Sequence, residues 1–223
     1  MSLLSSRPTV IFTGPFGSGK TEVAINYARA AHAAGRRVVL VDADIVTPYF
    51  RVGNHRAELE EEGVRVVAAV GALASFELPA VPAELRQALL EPDLHVILDV
   101  GGDPGGARFL AGYAEEIAAR GYDMWLVANP YRPATPDAEA IARAAGELAS
   151  QAGLTFTGLV ANPHLGPVTA AEDIARGLAV VAAAASTLSL PVVFLAAESR
   201  FCDDASLSPL PRLPLSLTLR LPW

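Results

Sequence analysis

Short apolar runs alternate with stretches of helical periodicity along nearly the whole chain. The runs at 10–12, 37–44, 64–70, 94–99, 122–129, 156–162 and 191–197 are rich in Val, Ile, Leu and Ala. Apolar on both faces, they predict strands buried inside a parallel sheet. Between them, Val23, Ala24, Tyr27, Ala28 and Ala31 recur at helical spacing over 21–34, and Gly35 is a natural stop. The same reasoning predicts helices over 57–62, 83–90, 108–120, 136–152 (Thr135 as N-cap, Pro136 at the first position) and 169–188 (Thr169 capping, Glu172 three residues on). Strand and helix in strict alternation imply a three-layer α/β/α fold with a mostly parallel central sheet. The tail breaks the pattern: Leu213, Leu215, Leu217, Leu219 and Leu221 recur with a period of two, while Pro211 and Pro214 exclude a helix. Residues 1–198 therefore read as one domain. Residues 199–223 read as an extension, an edge strand or an arm, lying on that domain or on a neighbouring subunit.

Composition narrows the functions open to this fold. In 223 residues, 52% hydrophobic and 18% charged, there is enough apolar side chain for a sizeable core. A net charge of −7 disfavours binding to nucleic acid or anionic membrane through bulk electrostatics, so neither is expected as a direct partner. The longest apolar stretch, 178–185, is far below the roughly 20 residues that span a bilayer, and Met1 to Ser6 is too short for a signal segment. The expected location is the cytoplasm. The only cysteine, Cys202, rules out an internal disulfide. The histidines (His32, His55, His95, His164) form no metal-ligand spacing, and His164 alone falls near the chemistry below.

That chemistry begins at Gly14-Pro-Phe-Gly-Ser-Gly-Lys-Thr21, a G-x-x-x-x-G-K-[ST] loop between a strand and a helix. Backbone N–H groups of Gly14, Phe16, Gly17, Ser18 and Gly19 can curl around a phosphate chain, aided by the positive end of the following helix. Lys20 can reach the β- and γ-phosphates, and the Thr21 hydroxyl can ligate Mg²⁺. Lys20 is the only lysine in the chain. The second strand ends in Asp42 and Asp44, at the carboxyl edge where open α/β sheets bind ligands; a cap on the next turn is the lesser alternative for Asp44. The fourth strand ends in Asp99, followed by Val-Gly-Gly-Asp-Pro-Gly-Gly106. An aspartate there can hold Mg²⁺ through water, and a Gly101 or Gly102 N–H can sense a γ-phosphate. Two Gly-Gly pairs suggest a loop free to rearrange, and Asp103 is equally at home in a turn. Asn162 can read a purine edge or simply close a turn with Pro163. The segment 45–51, with Pro48, Tyr49, Phe50 and Arg51, reads as a switch or as a loop with two aromatics packed inward.

Gly14 to Thr21, Val41-Asp-Ala-Asp44, Leu98-Asp-Val-Gly-Gly102 and Val160-Ala-Asn162 together resemble the MinD/ParA group of P-loop NTPases, within the SIMIBI class that also holds CobQ- and CobB-type domains. The resemblance covers roughly residues 8–198. It implies Mg-ATP binding, with Lys20, Asp42 and Asp44 in catalysis, and Thr21, Asp44 and Asp99 around the metal. It also implies a slow ATPase whose nucleotide state is read by a protein partner or a second copy. One departure stands out: the family carries a second lysine after the first P-loop glycine, where this chain has Pro15. Cross-subunit activation by that lysine is excluded, and Arg51 or Arg108 are the arginines that could replace it. The absence of an Asn-Lys-x-Asp motif favours adenine over guanine. Two other functions stay open: a small-molecule phosphotransferase or ligase of the dethiobiotin-synthetase kind, and a nucleotide sensor that does not hydrolyse.

Overall fold

The buried strands expected from the apolar runs assemble in a computed structural model that describes residues 2–44, 52–68, 80–204, 207 and 209–218. The first strand, β1 (Thr9–Thr13), is buried at every position. So is β4 (Leu94–Val100), while β2 (Arg37–Ala43) exposes only Arg37. Burial on both faces is what a parallel sheet between two helical layers demands. With β3 (Arg65–Val67), β5 (Tyr122–Ala128), β6 (Gly158–Ala161), β7 (Val192–Glu198) and β8 (Arg212–Leu215), the described strands form one sheet ordered β3-β2-β4-β1-β5-β6-β7-β8. Every neighbouring pair is parallel.

Strand alternation divides the core into two layers. Val10, Phe12, Val38, Leu40 and Ile97 face α1 (Lys20–Ala33) and Leu59 of α2 (Arg56–Glu61). Ile11, Val39, Val41, Val96 and Leu98 face the helices of the opposite layer. These are α3 (Ala80–Leu90), α4 (Pro104–Ala111), α5 (Ala114–Arg120), α6 (Ala138–Ala152) and α7 (Ala171–Leu188). On the α1 side Phe12, Tyr27, Trp125 and Phe194 stack edge-on or face-on, with ring centroids 5.1 to 6.2 Å apart.

Helix boundaries moved where a side chain had a better partner than the expected cap. α3 starts at Ala80, with Pro82 in a first turn that tolerates its missing N–H. The helix expected over 108–120 is two, interrupted at Gly112 and Tyr113, and its first piece begins earlier because Asp103 accepts from Gly105 and Gly106 N–H. α6 is capped by Asp137, which accepts from Ala140 N–H at 2.8 Å, while the Thr135 hydroxyl turns inward to the Asn129 carbonyl. Thr169 likewise closes the turn before α7, donating to Gly166 O at 2.6 Å, and Asp173 accepts from Ala170 N–H in its place. The tail strand β8 runs parallel beside β7 at the sheet edge. Leu213 and Leu215 are buried and Pro214 is exposed, as an edge strand permits.

Candidate nucleotide-phosphate site

In the sheet order, β1 lies between β4 and β5, so crossovers on its two sides run in opposite directions. The crevice at such a switch point is where α/β sheets bind ligands, and residues 14–19 occupy it. Gly17 (φ 79°) and Gly19 (φ 85°) adopt the left-handed conformation that lets the loop curl back on itself. Ser18 N–H donates to Pro15 O at 3.0 Å, and Gly19 caps α1 with no side chain, leaving the first-turn N–H groups to face the crevice.

Strand register brings the carboxylates to the same place. Asp42 on β2 is the direct partner of Asp99 on β4, and Asp99 is the partner of Phe12 on β1. Both carboxylates continue the face that packs on α1, so they end beside its N-terminus. The Lys20 Nζ pairs with Asp44 Oδ2 at 2.7 Å, both groups nearly buried. Burial works against the lysine charge, but Asp99, Asp44 and Asp42 together outweigh it and hold its pKa above the ordinary value. Asp42 accepts from Asp44 N–H at 3.3 Å and from Gly53 N–H at 3.1 Å. Asp99 is fully buried, and neither of its oxygens has a hydrogen-bond partner among the described residues. Burial pushes its carboxyl up to about 7; Lys20 and the Thr21 hydroxyl oppose that shift, and Asp42 and Asp44 add to it.

The glycine-rich stretch after Asp99 is more constrained than expected. A side chain on Gly102 would overlap the Gly14 carbonyl, and one on Gly106 would overlap the backbone of Gly101. These glycines permit close approach of this stretch to the P-loop and of α4 to β4, while Asp103 is engaged in capping. Their role here is packing more than freedom. Asn162 also lies against the loop: its Nδ2 donates to Ser18 O at 2.7 Å, and its buried Oδ1 has no partner among the described residues. One side of this amide is thus committed to the P-loop backbone. His164 accepts from Gly166 N–H at Nδ1, so Nε2 carries the proton and donates to Glu198 at 3.2 Å. Phe16 is 74% exposed at the loop tip, and Arg108 is exposed on α4. Residues 45–51, including Arg51, lie outside the described residues.

Sequence reasoning missed Arg132. It sits in the loop after β5, and its Nε donates to Gly17 O at 3.1 Å. The available signal was its place at the carboxyl end of the strand beside β1, framed by Pro130 and Pro133.

The donor set fits Mg²⁺. Among the described residues no three His, Cys, Asp or Glu side chains could hold a metal by themselves. Mg²⁺ does not need such a cage, since it keeps waters and takes one or two protein oxygens plus phosphate. The orphaned Asp99 oxygens beside Thr21 suit that arrangement.

A parallel sheet with a glycine loop, lysine and threonine at its switch point defines a P-loop nucleotide-binding protein. The sequence matches the family model of the CobQ/CobB/MinD/ParA nucleotide binding domain over residues 10–195, and the chain belongs to that family. A comparison with curated protein sequences gives no match. Among solved structures it is similar to chloroplast FtsY from Physcomitrella patens, with 22% identity, TM-score 0.58 and coverage of 87% of this chain and 60% of that one. FtsY from Thermotoga maritima is similar at 20% identity and TM-score 0.56, with 88% and 64% covered. The signal recognition particle 54 kDa protein from Aeropyrum pernix, in complex with GDP, is similar at 18% and 0.56, with 86% and 41% covered. The chain thus spans less than two thirds of each of these structures. Such identities establish a shared fold and nothing finer. Among the described residues no helix is long and apolar enough to cross a membrane.

Proposed function

We propose that the protein binds Mg-ATP, hydrolyses it slowly, and signals its nucleotide state to a protein partner through the segments after Asp44 and Asp99. The observation that carries this reading is the buried Lys20–Asp44 pair beside the buried Asp99 carboxyl, whose oxygens accept no hydrogen bond among the described residues. A buried charge set of this kind is electrostatically incomplete, and a phosphate chain with a divalent cation completes it. In this reading Gly14, Phe16, Gly17, Ser18 and Gly19 offer backbone N–H groups, and Lys20 holds the β- and γ-phosphates. Thr21 and Asp99 would hold Mg²⁺, joined by Asp44 once Lys20 turns to phosphate. The cation, when bound, neutralises charge on the phosphate oxygens. Asp42 and Asp44 orient water for hydrolysis. Gly102, packed on Gly14, would offer its N–H to the γ-phosphate. In this reading residues 1–198 carry the chemistry and 199–223 are an extension, of which β8 lies at one sheet edge.

Leu165 stands third after Asn162, where guanine readout would need a carboxylate, and this favours adenine. Asn162 contributes its free Oδ1 to that side of the pocket. The test is calorimetry with Mg-ATP, Mg-GTP and ATP in chelator, with turnover measured in parallel. Lys20→Ala should weaken ATP binding by at least a few kcal/mol, as expected of a desolvated charge-assisted contact. Unchanged affinity would remove the phosphate assignment, and binding without turnover would leave a sensor.

A further inference from the structure

We propose that Arg132 is a phosphate-binding arm of this site: its guanidinium is held over the P-loop by the turn after β5 and closes on the phosphate chain of the bound nucleotide. This rests on the nucleotide reading above and extends it to a residue outside every motif of the chain.

The arm is mounted on a rigid turn. Asn129, almost fully buried, accepts from Tyr131 N–H at its side-chain oxygen (3.1 Å) and from Arg132 N–H at its carbonyl (3.1 Å). The Arg132 carbonyl in turn accepts from Thr135 N–H at 3.0 Å, and the Tyr131 hydroxyl donates to Asp173 O at 2.7 Å. The backbone at Arg132 is therefore fixed on both sides. Its side chain lies along the outer bend of the P-loop. Nε donates to Gly17 O, and Cδ is 3.4 Å from where a side chain on Gly17 would begin. Gly17 thus meets two demands, a left-handed φ and room for this arginine.

Among the described residues Arg132 makes no ion pair, and its two terminal nitrogens make no hydrogen bond. Among the described residues most of its five donors remain open, on an arm that lies against Gly17, two residues before the N-cap of α1. One neutral carbonyl is a poor return for ordering an arginine there. An anion lying in the loop reverses that balance, because the planar fork matches two phosphate oxygens at once. Pro15 adds no charge to the loop, and among the described residues Lys20 and Arg132 are cations that touch it.

Two substitutions separate this role from that of a strut bracing Gly17. In Arg132→Gln the amide nitrogen occupies the position of Nε, so the bond to Gly17 O survives while the charge and terminal nitrogens are lost. In Arg132→Lys the charge stays and the donor at the Nε position disappears. Mg-ATP affinity by calorimetry should fall about 10- to 100-fold in R132Q and by less in R132K, with the loss in R132Q shrinking at high salt. Thermal midpoints show whether each variant is folded. A strut gives the opposite order, R132Q equal to wild type and R132K weaker, and that result overturns the proposal. If R132Q does not fold, R132K alone decides: near-wild-type affinity supports the arm and a large loss rejects it. Wild type that binds ATP with an affinity sensitive to Lys20→Ala but not to R132Q leaves the nucleotide reading standing without this arm. Wild type that binds no nucleotide removes both.

Discussion

Lys20 and His95 are both buried beside charged neighbours, and the neighbours decide opposite outcomes. Three carboxylates around Lys20 outweigh its desolvation, so the ammonium stays charged. His95 meets burial, Arg36 and Arg120, all of which disfavour a second proton, and its pKa falls to about 4. Arg36 can only donate, so its 3.3 Å contact with Nε2 requires a neutral ring that accepts there. A folded-state pKa below the unfolded one means that, between about 4 and 6.5, the unfolded chain takes up a proton that the folded one refuses. Stability from this group is present above that window, declines as pH falls through it, and is flat below. Wild type should lose about 2 kcal/mol more than His95→Gln between pH 7 and pH 4, measured by urea unfolding. Equal losses would show that His95 protonates in place.

At the scale of elements, α1 is the unusual helix. Ten of its positions are buried, among them Glu22 and Asn26, because the tail covers the side that the sheet does not. Asn26 donates to Ser216 O and accepts from Ser216 N–H at 3.0 Å, which reproduces one rung of a strand ladder with a side chain. Glu22 accepts from Thr218 N–H at 2.7 Å, and Arg29 donates to the Thr218 hydroxyl. The tail is therefore strapped to the helix whose first residues are Lys20 and Thr21. Replacing Asn26 by Ala leaves the Ser216 N–H without its acceptor and should cost about 1–3 kcal/mol in chemical denaturation. A loss below a few tenths would mean that water takes over the contact.

At the scale of the molecule, the sheet order lets one nucleotide touch several elements at once. Lys20 is paired with Asp44, the last described residue before 45–51, and Asp42 holds the Gly53 N–H on the far side of that segment. A phosphate that draws Lys20 away from Asp44 acts on both ends of it. Hydrogen exchange at Gly53 should therefore differ between Mg-ADP and a non-hydrolysable Mg-ATP analogue. Identical protection in the two states would remove the switch and leave a fixed loop.

The sequence by itself determined the alternation of strand and helix, the P-loop and the three aspartates, because each is a local property. A strand buried on both faces must be apolar throughout, and a loop that curls around phosphate needs glycine and lysine at fixed intervals. Tertiary structure decided what depends on distant partners. Thr135 and Thr169 looked like caps, yet each hydroxyl found a carbonyl of a turn; Asp137 took over the cap of α6, and before α7 Asp173 accepts from Ala170 N–H. Gly102 and Gly106 looked like sources of freedom until packing placed backbone against them. The period-two leucines of the tail read as an edge strand or an arm, and the structure shows the edge strand; the pairing of β8 with β7, and the place of Arg132 over Gly17, follow from strand order, which no local pattern encodes. Residues 132 and 17 are far apart in the chain, and they meet because β5 lies next to β1 in the sheet.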